Sequence, residues 1–403
     1  MKTDSIPDLV RLNPHSVDPV SAFVRRSDRT LVRPGLGADI REFIRSNPDV
    51  LRVTRIDGAD VVQDIAAFPN DISTWSRTHL RLHEELLDSA RDRLGSAGLS
   101  LKDGHPYNVV FFGSRPYLVD FGSITEHGGW DLFTQERTFY QRVGRLLRYG
   151  TQMPLRRQLA TRWHPSNADL LRRSLEGLTG PDPVVGRRER LSRIFSSHVR
   201  QDRTIWTGYE SPIEEFREGQ KARFLREALA ERMPGTVLDL GCNMGAYSVI
   251  AAESGAQVLA MDVDEVAISY LTGFARDRDL GITAVVADLP LYYAVLEGNS
   301  PLLNPPSIEF VICYAILHHL VHRQGYNFRT FFNAISRIKP KTILVEFVSY
   351  EDKHVSQWSP KKHWYNIETL CEMAFHFGYV ARVRPPHYQG RRLVLFDIED
   401  GQD

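Results

Sequence analysis

Val237-Leu-Asp-Leu-Gly-Cys-Asn-Met-Gly-Ala-Tyr247 is the stretch on which the fold turns. An apolar-rich run, a tight turn with two glycines and a set of helix formers make a strand, a loop and a helix start. Gly241 and Gly245 remove side chains where a backbone must approach a ligand closely, and they allow positive φ. The helix that follows adds unpaired amides and the favourable end of its dipole. Taken alone, the pattern fits a nucleotide-type ligand or a plain strand-to-helix crossover.

Outward from this loop the chain alternates. Val237–Leu240, Gln257–Met261, Thr283–Ala287, Ile308–Tyr314 and Thr342–Val348 are short apolar runs. Helical patterns over Gly245–Ser254, Val266–Arg276 and Asn327–Ile338 separate several of them. Such spacing predicts crossover units and a buried, mostly parallel sheet. The tail differs: Tyr379–Arg384 and Arg392–Ile398 flank the turn-rich Pro-Pro-His-Tyr-Gln-Gly, which predicts a closing hairpin. That ending is unlike a standard dinucleotide-binding fold.

Two acids sharpen the ligand. Asp262 ends the second run, where its carboxylate can accept both hydroxyls of a ribose. Asp288 ends the third and can accept from an adenine amino group. Both fall at the carboxyl edge of the sheet, where open parallel sheets bind ligands. A dinucleotide fingerprint would need glycine at Gly241, Asn243 and Ala246, and only the first fits.

With Asp239, Gly241, Asn243 and Gly245 in order, the segment resembles the Asp/Glu-x-Gly-x-Gly-x-Gly loop of class I S-adenosylmethionine-dependent methyltransferases. The middle glycine is here asparagine. The family's sheet also ends in an antiparallel hairpin, and the resemblance covers about residues 210–403. It implies S-adenosylmethionine as cofactor. Asp239 and the Gly241–Gly245 loop with Cys242 would face the methionine part. Asp262 would hold the ribose and Asp288 the adenine, with Val263, Leu289 and Tyr314 as cofactor neighbours.

The fourth run ends in Cys313-Tyr-Ala-Ile-Leu-His-His-Leu320, and many relatives carry a similar segment beside the reactive methyl. His318 or His319 is thus a candidate catalytic base, set against packing or capping roles. Positioning alone also suffices for methyl transfer. Glu346, ending the fifth run, lies on the same rim and is grouped with them. Tyr292 and Tyr293, in the long connection 290–307, and His363, in an aromatic and imidazole cluster, are candidate substrate contacts.

The N-terminal part holds Leu101-Lys-Asp-Gly-His-Pro-Tyr-Asn108 and then Tyr117-Leu-Val-Asp-Phe-Gly122. The spacing of Asp103, Asn108 and Asp120 resembles the catalytic loop and Mg²⁺ ligands of kinases and aminoglycoside phosphotransferases. A glycine-rich flap and a Val-Ala-Ile-Lys strand are missing, so a degenerate lobe that recognises the substrate is expected, with these three as substrate contacts. Bacterial methyltransferases of the rhizobial nodulation type join a similar Lys-Asp-x-x-Pro-Tyr-Asn segment to such a glycine loop. Short strands at Leu51–Val53 and Val61–Ile65, a helix over Arg77–Leu94 and a strand pair around Gly113 complete this part.

Composition bounds the rest. A chain of 403 residues suits two or three domains. The boundaries expected are 1–150, 151–208 and 209–403: an α+β kinase-like module, a helical basic connector around the Gly177–Gly186 linker, and a Rossmann-like methyltransferase sheet. Three scattered cysteines make neither a disulfide framework nor a four-thiolate zinc site, and no metal is expected. Met1–Val20 lacks a signal's apolar core and no run approaches the roughly 18 apolar residues of a membrane span, so a cytoplasmic enzyme is expected.

Fifty basic residues balance fifty acidic ones, yet Arg142–Arg203 carries fourteen arginines against five acids. The function expected is methyl transfer to a small-molecule or conjugated acceptor. The alternatives are a bifunctional enzyme with live phosphotransfer at Asp103, Asn108 and Asp120, and RNA methylation through the arginine-rich stretch.

Overall fold

The computed structural model describes residues 9–10, 23–27, 30–33, 36–53, 55–64, 66–68, 70, 74–101, 108–126, 213–290, 292–293, 307–358 and 360–399. Asp103, the 177–186 linker and the stretch 142–203 lie outside them. The chain forms two compact units. One comprises Met1–Gly208 with Leu291–Asn304, the other Tyr209–Pro290 with Pro305–Asp403. No described helix is long and apolar enough to cross a membrane.

In the first unit, strands β1 (Leu9–Val10), β2 (Phe23–Ser27), β3 (Thr30–Arg33), β4 (Arg55–Asp57) and β5 (Asp60–Asp64) form an antiparallel sheet in the order β1-β2-β3-β5-β4. β6 (Ser100–Leu101) pairs with β9 (Ile124–Thr125), and β7 (Val109–Phe112) with β8 (Arg115–Leu118) across Gly113. The helix Arg77–Ser96 buries Leu80, His83, Leu87, Ala90 and Leu94, a spacing of three and four that lays one face on the core. That core includes Ile44, Val61, Trp75, Phe111 and Phe121.

One expectation needs correction here. Leu51–Val53 is not a strand: Leu51 makes only an isolated bridge to Leu118. Conversely, β2 and β3 were illegible, because Phe-Val-Arg-Arg-Ser gives too short an alternation to stand out.

In the second unit, seven strands form one sheet: β10 (Thr236–Leu240), β11 (Gln257–Asp262), β12 (Ile282–Val286), β13 (Phe310–Cys313), β14 (Thr342–Val348), β15 (Tyr379–Val383) and β16 (Arg391–Ile398). Their order is β12-β11-β10-β13-β14-β16-β15. The first five run parallel, while β16 is antiparallel to both β14 and β15. The expected mostly parallel sheet with its closing hairpin is therefore the observed one.

The strand composition follows from burial. Every residue of β12, β13 and β14 is buried, which is why these runs are apolar throughout instead of alternating. Val237, Val258, Ala260, Phe310 and Leu344 pack with Leu225, Val249, Ile250, Ile268 and Leu271 of the covering helices. Polar side chains start those helices. The Asp264 carboxylate accepts from Val266 N at 2.9 Å, and the Asn327 and Asn366 carbonyls accept from Thr330 N and Thr369 N at 2.8 Å.

Candidate active site at the carboxyl edge of the sheet

The loop after β10 is shaped by what its glycines permit. Gly241 and Gly245 have φ of +74° and +86°. A Cβ on Gly245 would collide with the Leu271 side chain, and one on Gly241 would lie 3.0 Å from Ile316 Cδ1. The first lets the helix Ala246–Glu253 start against its neighbour. The second lets the loop lie under the segment that follows β13. Asn243 and Ala315 hold left-handed backbone as well, at φ 49° and 51°.

Hydrogen bonds lace three strand ends together. Gly241 N and Cys242 N both donate to Met261 O, at 2.8 and 3.1 Å. Asp262 then takes Asn243 N on Oδ2 at 2.8 Å and Asp264 N on Oδ1 at 2.9 Å. Ala287 N donates to Asp262 O at 2.9 Å, so the exit of β12, with Asp288 and Leu289, is tied to the same residue. Each Asp262 oxygen keeps acceptor capacity for a further donor. Val263 beside it is 42% exposed, an apolar surface at the rim. A close-approach loop, a carboxylate and an open apolar residue along one edge fit a nucleoside with a polar tail.

Asp239 sits beneath the loop, buried, and accepts from Ser248 Oγ at 2.6 Å. Burial pushes its carboxyl up to about 7, against the Ser248 hydrogen bond, and the nearby Asp262 adds to the rise. Cys242 and Cys313 are buried, and burial raises both thiols well above the usual range, so neither is poised to ionise.

The rim beyond β13 and β14 carries the candidate residues His318, His319 and Glu346. His318 is buried and its ring lies 4.3 Å from that of His319. Burial, then the neighbouring His319 and Arg391, lower His318 to about 3, although Glu346 and Asp352 oppose this. Burial and Arg323 lower His319 to about 4. Both rings are neutral, weakly basic imidazoles at neutral pH.

Glu346 is fully buried, and three elements supply its partners. Lys221 Nζ lies 3.0 Å from Oε2, His387 Nε2 3.0 Å from Oε1 and Arg391 Nη1 3.6 Å from Oε1. Burial alone would raise this carboxyl; His387, Lys221 and Arg391 outweigh it and hold it at about 2. With both oxygens engaged, Glu346 anchors the neighbouring cations. Arg391 also reaches Asp352 Oδ2 at 2.9 Å. Lys221 Nζ stands 5.4 Å from the ring centres of both Tyr247 and Tyr314, which meet edge to face at 4.7 Å. The Tyr314 hydroxyl donates to Lys221 O at 3.2 Å.

The remaining predicted residues are dispersed. His363 is exposed, and its backbone oxygen accepts from Asn366 Nδ2 at 3.0 Å. Tyr292 and Tyr293 are buried and group with the first unit. In that unit the Asp120 carboxylate accepts from Gly122 N at 3.1 Å and Ser123 Oγ at 2.6 Å, and Asn108 Nδ2 donates to Ser123 Oγ at 3.2 Å. Asn108 and Asp120 thus converge on one hydroxyl. Lys221, Arg391, Asp352 and His387 went unread in the sequence. The expected hairpin was the one signal for His387 and Arg391, and nothing in the sequence marked Lys221 or Asp352.

The sequence model described as "Methyltransferase domain" matches residues 238–345. Nodulation protein NoeA of Rhizobium meliloti (strain 1021) is 26% identical over 333 residues, 69% of this chain and 66% of that protein. The match therefore spans just under two thirds of that relative's length. Among solved structures, WbdD is similar at 18% identity and a TM-score of 0.34, covering 48% of this chain and 42% of that one. The magnesium protoporphyrin IX methyltransferase ChlM from Synechocystis PCC 6803, with bound SAM, is similar at 17% identity and a TM-score of 0.34, covering 45% and 79%.

Proposed function

We propose that this chain, whose residues 238–345 match a methyltransferase domain model, transfers a methyl group from S-adenosylmethionine to a small-molecule or conjugated acceptor, with the first unit contributing acceptor recognition. The observation that carries this is the convergence on one sheet edge of the glycine loop, Asp262 and the Lys221–Glu346 cluster. In this reading Asp239 and the Gly241–Gly245 loop hold the methionine portion. Asp262 takes the ribose hydroxyls, and Asp288 with Leu289 borders the adenine.

When bound, S-adenosylmethionine supplies an electrophilic methyl group. The protein's own contribution is positioning and exclusion of water. Lys221, clamped between two tyrosines and Glu346, fixes the wall between donor loop and acceptor rim.

Tritiated methyl from S-adenosylmethionine is expected in the small-molecule or glycoconjugate fraction of an extract incubated with the protein. Counts confined to RNA would contradict the proposal.

A further inference from the structure

Burial lowers the pKa of both His318 and His319, and a third imidazole stands in a different setting. His387 lies in the turn between β15 and β16, its ring 12% exposed, with Nε2 3.0 Å from Glu346 Oε1. Glu346 is held ionised and has acceptor oxygens only, so the hydrogen bond is donated by Nε2–H. A neutral imidazole that donates from Nε2 carries its lone pair on Nδ1. That Nδ1 is buried and has no hydrogen-bond partner among the described residues. A buried acceptor left unmet is uncommon and calls for a donor that the described residues do not provide.

The order carboxylate, imidazole, open nitrogen is the arrangement of an oriented general base: the carboxylate sets the tautomer and faces the charge that forms. The charged groups around the pair are Lys221 from the helix Gln220–Arg232, Arg391 from β16 and Asp352 after β14. The turn itself is pinned. Ser349 N donates to Gly390 O at 2.7 Å, and a Cβ on Gly390 would lie 2.8 Å from Asp352 N.

We propose that His387 is a catalytic residue of the methyl transfer, accepting at Nδ1 the proton of a neutral hydroxyl or amine acceptor, with Glu346 as its positioning residue. The proposal rests on the methyltransferase reading above. As the acceptor oxygen or nitrogen bonds the methyl carbon, the bond from that carbon to sulfur breaks and its electron pair stays on sulfur. The acceptor's proton passes to Nδ1. The imidazolium carries the positive charge that the sulfonium loses, and it later returns the proton to water. The acceptor class that follows is a nucleophile that must shed a proton as it is methylated, as an alcohol, a phenol or a neutral amine does; a carboxylate needs no such base.

Two measurements on the full chain test this. With nitrogen-15-labelled histidine and S-adenosylhomocysteine present, the His387 signals, identified by their loss in His387→Gln, are expected to show the Nε2–H tautomer. An Nδ1–H tautomer overturns the proposal. The second is tritiated-methyl transfer to a panel of simple phenols, hydroxy acids, sugars and amines, with S-adenosylhomocysteine affinity measured beside it. His387→Gln, which keeps a donor toward Glu346, is expected to lower kcat by about 10²–10⁴-fold with little change in KM or donor affinity. A kcat close to wild type in His387→Gln overturns the proposal. So does a wild type that binds S-adenosylhomocysteine and methylates only carboxylates or nothing in the panel. A wild type that binds no S-adenosylhomocysteine instead sinks the donor reading beneath it.

Discussion

At the scale of single residues, the donor loop depends on positions where a side chain has no room. Gly245 combines positive φ with a Cβ position inside the Leu271 side chain, whereas Gly255 has φ +95° but open space around it. Both Gly→Ala changes incur a left-handed backbone cost of roughly 1–2 kcal/mol. Only Gly245→Ala adds a collision with a fully buried leucine. Chemical denaturation is therefore expected to show Gly245→Ala as the more destabilised variant, with S-adenosylhomocysteine affinity also reduced, and Gly255→Ala with affinity intact. Equal stabilities would mean that the loop and the Leu271 helix adjust freely. Such positions were legible in the sequence, since two glycines closing an apolar run mark a turn too tight for side chains. The positive φ of Ala315 was not, because alanine carries no mark of it.

At the scale of elements, Glu346 ties a helix, a strand and a hairpin turn into one rim. Removing it leaves Lys221, Arg391 and His387 partly buried around a missing anion. Breaking a buried ion pair on one side typically costs about 3–5 kcal/mol. Glu346→Ala is expected to lose stability on that order in a denaturant titration, and Glu346→Gln less, since the amide oxygen still accepts from one neighbour. A loss under about 1 kcal/mol for the alanine variant would show that the cluster holds nothing together.

The element order was readable from apolar runs and their spacing, and so was the closing hairpin. The partners of Glu346 were not. Lys221 and His387 meet it across 125 and 41 positions of chain, and sequence patterns report periodicity along one element, not which element ends face each other. The pair His318 and His319 stood out by motif. Only burial in the folded unit shows that they have lost most of their basicity.

At the scale of the whole molecule, these buried imidazoles make folding pH-dependent. Their folded pKa values, about 3 and about 4, lie below the ordinary 6.5. The unfolded chain therefore binds more protons between those values, and the stability present above pH 6.5 is lost as pH falls through that window. Asp239 acts the other way: raised to about 7, it holds a proton that the unfolded chain gives up from about 3.8. Thermal unfolding of the wild type followed from pH 7 to pH 4 is expected to show a falling Tm. The decline should be shallower in a His318→Gln, His319→Gln double variant, and an unchanged slope would contradict the assignment. The grouping of Leu291–Asn304 with the first unit was beyond sequence reasoning, because that segment reads only as a long connection.

The central claim is that the edge bearing Gly241, Gly245 and Asp262 holds the methyl donor. Calorimetric titration of S-adenosylhomocysteine into the wild type and into a folded Asp262→Ala variant tests it most directly. Hydrogen bonds to a charged group contribute about 1.5–3 kcal/mol, a factor of about 10–150 in affinity. The wild type should bind, and the variant should bind more weakly by a factor in that range. Equal affinities in the two, or no binding by the wild type, would contradict the claim.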